Sequence, residues 1–305
     1  MKILVFTEKP FAAAAVKAIS DTVNASGNEL ELVEGGTRAD LLEAVKDVEG
    51  LIVRSDKIDG EVMDAAPKLK VIVRAGAGYD NIDLAAATAH GICVMNTPGQ
   101  NSNAVAELVF GMMVMMCRNQ YNGKSGSELK GKSLGIYAFG QVGRNVARIA
   151  KGFNMNITAL DVFVPDAAIE AEGVKPLHDV NALFSENDFV SLHIPATPQT
   201  KNSIGYDLVM RMPKNGVLVN TARKEVIDED GLIKALEERP DLRYVSDIKP
   251  DKAEEFEQKF AGRVFFTPKK MGAQTAEANF NAGVAAAEQV LAYLKDGWNK
   301  FQVNK

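Results

Sequence analysis

Cysteine is scarce in this chain, with two in 305 residues. Cys93 and Cys117 both sit in apolar runs and show no metal-ligand spacing. No disulfide framework or cysteine-based metal site follows from such a count, and the pair reads as buried, reduced thiols of a cytosolic protein. Basic charge is also not in excess. The 35 Lys and Arg are outnumbered by 40 Asp and Glu, for a net charge of −5 and a pI near 5.4. Nucleic-acid binders draw their affinity from a basic surface, so that class is excluded. Long hydrophobic runs are missing as well. The most apolar stretch, 104–117, is too short for a bilayer and carries Glu107, so no membrane partner is expected. The opening M-K-I-L-V-F-T-E-K-P reads as a first strand, with no extended apolar leader core and no cleavage site. Neither repeats nor low-complexity tracts are visible. What remains, 46% hydrophobic and 25% charged residues, is the composition of a soluble globular chain of about two domains.

Short apolar runs alternate with amphipathic segments, the pattern of α/β architecture with parallel sheets. K-I-L-V-F, E-L-E-L-V, G-L-I-V-R, V-I-V-R and I-C-V-M are the strands of the first third, with helices such as 12–24 and 39–48 between them. A helix is expected at 102–118, rich in methionine (Met112, Met113, Met115, Met116). Methionines at helical spacing are ordinarily core; a homodimer seam is the second reading. A polar link at 119–131 precedes strands in D-F-V-S-L-H-I, G-V-L-V-N, L-R-Y-V-S-D and R-V-F-F. The last helix, 276–295, is long enough to return to the first domain. The expected fold is two Rossmann-like, doubly wound parallel-sheet domains, one inserted into the other. Residues 1–98 with 276–305 would form one domain and 99–275 the other, hinged near Pro98 and Thr275.

The most informative stretch runs from Ser133 to Asp161. S-L-G-I-Y-A-F-G-Q-V-G-R-N-V-A-R-I-A enters a glycine turn from a strand and continues as a helix; N-I-T-A-L-D is a second strand ending on an acid. This is a dinucleotide fingerprint with Gly140 and Gly143 as its last two glycines and Ala138 where the first usually stands. Gly140 lets backbone approach a pyrophosphate and Gly143 lets helix approach strand. Gln141 and Val142 open a helix whose N-terminus supplies positive field. Asp161 lies 18 residues beyond Gly143, the reach of a carboxylate that accepts from a ribose 2′-hydroxyl, and no Arg or Lys follows it at once. The expected cofactor is NAD rather than NADP.

With these residues in view, the chain resembles the D-isomer-specific 2-hydroxyacid dehydrogenases along almost its whole length. The likeness rests on L-I-V-R-S (51–55), V-R-A-G-A-G-Y-D-N-I-D (73–83), V-M-N-T-P-G-Q-N-S (94–102) and A-E-L (106–108). To these are added the fingerprint, L-H-I-P-A-T-P-Q-T (192–200) and V-N-T-A-R-K-E-V-I-D-E-D-G-L (219–232). Within the family it is most similar to the branch acting on 3-phospho-D-glycerate, in a short form without a C-terminal regulatory domain.

An α-hydroxy acid needs a cation for its carboxylate, a hydride acceptor at C2 and a base for its hydroxyl proton. Arg223 follows a strand at its C-terminal end, where α/β sheets place ligands, and the resemblance makes it the arginine that holds the carboxylate. Arg74 opens R-A-G-A-G, whose glycines free backbone N–H groups for an anion; Ala75, Gly76 and Ala77 are the implied carboxylate grip. Arg54, Ser55 and Arg74 would form a phosphate pocket, with Asn101 and Ser102 nearby at the crossover. The resemblance further implies that Asp247 bonds the nicotinamide carboxamide. It places Pro195, Thr197, Thr221, Ala222 and Gly272 around the cofactor. His193 is read as structural.

The family's acid–base is a histidine in T-P-H-x-G-A, assisted by a glutamate in D-V-F-x-x-E-P. Here those segments read F-T-P-K-K-M-G-A-Q-T and S-D-I-K-P, with Lys249 where the glutamate falls. Counting back from Gly272 puts Lys270 at the histidine position; counting forward from Pro268 puts Lys269 there. A lysine needs no carboxylate partner to orient it, so losing both groups together is chemically coherent. The expected reaction is NAD-dependent oxidation of 3-phospho-D-glycerate to 3-phosphohydroxypyruvate by a cytoplasmic homodimer, with a phosphorylated 2-hydroxy acid as its small-molecule partner and no metal. Glyoxylate or hydroxypyruvate reduction and 4-phosphoerythronate oxidation use the same machinery. A catalytically silent NAD-binding sensor is the reading from another class.

Overall fold

The computed structural model describes residues 1–8 and 10–304. The chain divides into two compact units, residues 1–101 with 275–305 and residues 102–274.

The first unit is a five-stranded parallel sheet of β1 (Lys2–Thr7), β2 (Glu29–Glu34), β3 (Gly50–Val53), β4 (Val71–Arg74) and β5 (Cys93–Asn96), in the order β2-β1-β3-β4-β5. β1, β3, β4 and β5 are largely continuous apolar runs because both faces are covered, whereas the edge strand β2 alternates Glu with apolar residues. Along β1, Leu4 and Phe6 join Leu51, Val53, Ile72 and Val94 on one side. Ile3 and Val5 join Ile52, Val71, Val73 and Met95 on the other. The helix Ala276–Asp296 belongs to this unit and lays Ala282, Ala286, Ala287 and Val290 on the second face. Small residues let it lie close: a Cβ at Gly50 would stand 2.5 Å from Val290 Cγ1.

The second unit holds a seven-stranded parallel sheet of β6 (Ser133–Tyr137), β7 (Asn156–Leu160), β8 (Lys175–Pro176), β9 (Phe189–Leu192), β10 (Val217–Asn220), β11 (Arg243–Ser246) and β12 (Val264–Phe266). The order is β12-β11-β10-β9-β6-β7-β8, which reverses direction between β6 and β9. In such doubly wound sheets the crevice beyond the strand carboxyl ends at this reversal is where ligands bind. The methionine-rich helix Ser102–Cys117 packs within this unit. Met112, Met113 and Met116 are buried with Leu134, Ile136, Val146 and Val219, so these methionines are core. Both thiols are free and buried; burial pushes Cys93 up to about 11 and Cys117 upward as well. Among the described residues no helix is long and apolar enough to cross a membrane.

Candidate functional site

β6 ends at Tyr137, and the turn beyond it needs a left-handed residue. Ala138 takes that conformation at φ +79°, where a Cβ costs roughly 1–2 kcal/mol. The usual glycine is therefore missing from a place whose backbone still asks for one. Gly140 caps the helix Gln141–Gly152 at φ −76°, and a Cβ built on it would meet nothing within 4 Å. Gly143 is the opposite case: its Cβ would lie 2.3 Å from the Ala138 carbonyl oxygen and 3.1 Å from Ile136 Cγ2. One glycine keeps space open in front of the helix; the other brings helix onto strand. Gln141 is exposed and Val142 half-buried.

Asp161 follows the last residue of β7 and is already held. Its Oδ2 accepts from the Phe139 N–H at 2.7 Å, and its Oδ1 accepts from the N–H groups of Phe163 at 2.7 Å and Val164 at 3.1 Å. The carboxylate thus ties the glycine turn to the end of the second strand and is oriented in advance. An open helix N-terminus, a glycine without a side chain before it and an acid at the neighbouring strand end fit the pyrophosphate and ribose of a dinucleotide.

At the end of β10 the chain turns sharply. Asn220 is fully buried; its Oδ1 accepts from the Ala222 N–H at 2.9 Å and its Nδ2 donates to the Arg223 carbonyl at 3.0 Å. That Asx turn holds Thr221 and Ala222, both buried, and sets the direction of Arg223. The Ala222 carbonyl accepts Arg223 Nη1 at 2.9 Å and Lys270 Nζ at 3.4 Å. Two cations from separate loops of one unit therefore meet at a single oxygen. Lys269 is exposed, and Lys249 is too.

Asp247 has partners within the protein that the resemblance does not mention. It is completely buried, and both oxygens face the lysine loop. Oδ1 accepts from Thr267 Oγ1 at 3.0 Å and the Met271 N–H at 2.7 Å; Oδ2 accepts from the Gly272 N–H at 2.8 Å. A Cβ on Gly272 would stand 2.9 Å from that Oδ2. Sequence reasoning missed Asn220 and Thr267. An asparagine at a strand end two residues before the chain turns was the available signal for the first. Nothing in the sequence marked the second.

His193 contacts Ser191 Oγ at 3.0 Å and Thr221 Oγ1 at 3.4 Å, and burial drives it down to about 3. It is a neutral strut between β9 and the turn that follows β10. Thr197 and Pro195 share Thr200: Thr197 N–H donates to Thr200 Oγ1 at 2.8 Å, which donates to the Pro195 carbonyl at 2.5 Å.

In the first unit, Arg54 directly follows β3 and Arg74 ends β4. Arg54 donates to the Pro10 carbonyl at 2.9 Å and Asn279 Oδ1 at 2.7 Å and lies 5.0 Å over the Phe11 ring. Ser55 is exposed. Arg74 Nε donates to the Arg54 carbonyl at 2.9 Å. Its Nη1 lies 1.4 Å from where a Gly76 Cβ would be, so the guanidinium folds across the glycine, which sits at φ +150°. The expected grip by the amides of 75–77 needs correcting. The Ala75 N–H continues the ladder to Val53 at 2.8 Å, and the Gly76 N–H closes a tight turn onto Arg74 at 2.8 Å. One donor is taken by the parallel ladder and the other by the turn, so neither of these two amides points to an anion in this arrangement. Asn101 is half-buried; Ser102, at 2% exposure, begins the helix of the second unit.

Comparison with known proteins places this geometry. The description "D-isomer specific 2-hydroxyacid dehydrogenase, catalytic domain" matches residues 3–304. A D-3-phosphoglycerate dehydrogenase of Methanocaldococcus jannaschii is 38% identical over 97% of this chain, which spans 58% of that protein's length. A hydroxypyruvate reductase of Thermotoga maritima is 34% identical over 87% of this chain and 92% of its own. Among solved structures, an NAD+-bound 3-phosphoglycerate dehydrogenase from Entamoeba histolytica is 48% identical with a TM-score of 0.89, covering 100% of this chain and 99% of that one. This chain belongs to the D-isomer specific 2-hydroxyacid dehydrogenases.

Proposed function

We propose that the chain oxidises 3-phospho-D-glycerate to 3-phosphohydroxypyruvate with NAD, a first step toward serine, and that Lys270 is the acid–base. The carrying observation is the meeting of Lys270 Nζ and Arg223 Nη1 at the Ala222 carbonyl. A fixed guanidinium binds the substrate carboxylate and fixes the orientation of C2; the amine beside it is then at the hydroxyl. NAD, when bound by the fingerprint turn and Asp161, supplies the hydride acceptor. Lys270 takes the hydroxyl proton at Nζ, and returns it when the reaction runs toward reduction. Arg74 is the proposed cation for an anionic group of the substrate. The phosphorylated substrate is favoured by the 48% identity to a 3-phosphoglycerate dehydrogenase. A cytoplasmic homodimer is part of the proposal, and sedimentation velocity of the purified chain checks the assembly.

A lysine accepts a proton only as the free amine, so NADH formation should climb from pH 7 to 10. Lys270→Ala should lose on the order of a hundredfold or more in turnover, the usual scale for a general base, with NAD affinity kept. Lys269→Ala should stay active. Equal turnover of D-glycerate would move the substrate toward that of the hydroxypyruvate reductase relative. A flat pH profile with chemistry rate-limiting would remove the lysine base, and no turnover with NAD still bound would favour a sensor.

A further inference from the structure

We propose that Asp247 is a positioning residue for Lys270, a role that rests on the lysine reading above. The segment 268–271 is exposed at every position, between the buried Thr267 and Gly272. Its anchors are polar, and Asp247 supplies them on both sides of the lysine. Thr267 is bound before it through its hydroxyl, and Met271 and Gly272 after it through their N–H groups. The Asp247 N–H in turn donates to the Asn220 carbonyl at 2.9 Å, at the start of the turn whose Ala222 carbonyl receives Lys270 Nζ. One buried residue thus ties the backbone of the lysine loop to the turn that carries Arg223. Among the described residues no cation pairs with this buried carboxylate. Three donors compensate it, and an anion is needed because all three point inward.

Asp247→Asn has one acceptor oxygen and turns an N–H₂ toward a donor, so at least one anchor is lost without a change of volume. The expected result is a fall in kcat on the order of tenfold to a hundredfold, the scale for a reacting group misplaced by about 1 Å, with the NAD dissociation constant nearly unchanged. In the cofactor-free protein, hydrogen exchange at Met271 and Gly272 should accelerate, and the rate of Lys270 acetylation, followed by mass spectrometry across pH, should lose its wild-type profile. Thr267→Val should show a smaller change of the same sign, and Thr267→Ser should restore the wild-type values.

Two results overturn the proposal: Asp247→Asn with kcat and amide exchange intact, or a weakened NAD affinity with the hydride step unchanged, which would assign the carboxylate to the cofactor. An active Lys270→Ala would instead defeat the lysine reading. If Lys270→Ala is inactive and Asp247→Asn is not, only the positioning role falls.

Discussion

Gly143→Ala is the sharpest probe of the fingerprint. The added Cβ would sit 2.3 Å from the Ala138 carbonyl oxygen and 3.3 Å from its carbon, where ordinary contact begins at 3.4 Å. The obstacle is backbone, so no rotamer change relieves it; the helix Gln141–Gly152 must retreat from β6 by about 1 Å. That movement loosens Val146, Ala147 and Ala150, all fully buried. Overpacking of this kind costs roughly 1–3 kcal/mol, a fall in Tm of about 4–8 °C at the middle of that range for a unit of this size. The same retreat pulls the helix N-terminus from where a pyrophosphate is bound, so NAD affinity should drop alongside. Gly140→Ala is the control. Its Cβ meets nothing within 4 Å and its φ of −76° suits alanine. The loss of glycine at the cap and the stiffer unfolded chain offset one another to within about 1 kcal/mol. Differential scanning calorimetry with NAD titration reads both. A Gly143→Ala protein with wild-type Tm, or a Gly140→Ala protein that melts as early, would refute the reasoning.

Ala138→Gly should raise stability by up to about 1 kcal/mol in urea titration, because relief of roughly 1–2 kcal/mol of left-handed strain outweighs the greater freedom of the unfolded chain; a loss of stability would mean that the φ of +79° carries no strain. His193, held down to about 3, sets a pH dependence whose sign is fixed. The unfolded chain protonates near pH 6.5 and the folded chain does not until far lower. Stability is therefore unaffected above pH 6.5 and falls below it, by up to about 1.4 kcal/mol per unit until the folded group titrates. His193→Gln should flatten that fall between pH 6.5 and 5 relative to the parent, and parallel curves would show that the histidine is accessible to protons in the folded state.

What the chain declares locally is legible in its residues alone. Continuous apolar runs buried on both faces make parallel strands, and a 3.6-residue period makes the helices between them. A turn of small residues between strand and helix, with an acid at the next strand end, makes a dinucleotide site. Each of these signals is carried by residues near one another in sequence. The roles that needed the fold are those set by distant groups. Lys269 and Lys270 are neighbours of one chemistry, and the Ala222 carbonyl, 48 residues away, distinguishes them. The amides of Ala75 and Gly76 look available in sequence, yet one is drawn into the ladder with Val53 and the other into a tight turn. Nothing near Asp247 in sequence tells that its oxygens accept from Met271, Gly272 and Thr267. A hydrogen bond is exclusive and short-ranged, so which donor receives which acceptor is decided only when the folded chain brings them within about 3 Å. Local pattern determined the elements and the cofactor turn; tertiary structure decided which lysine reaches the carbonyl that the arginine also meets.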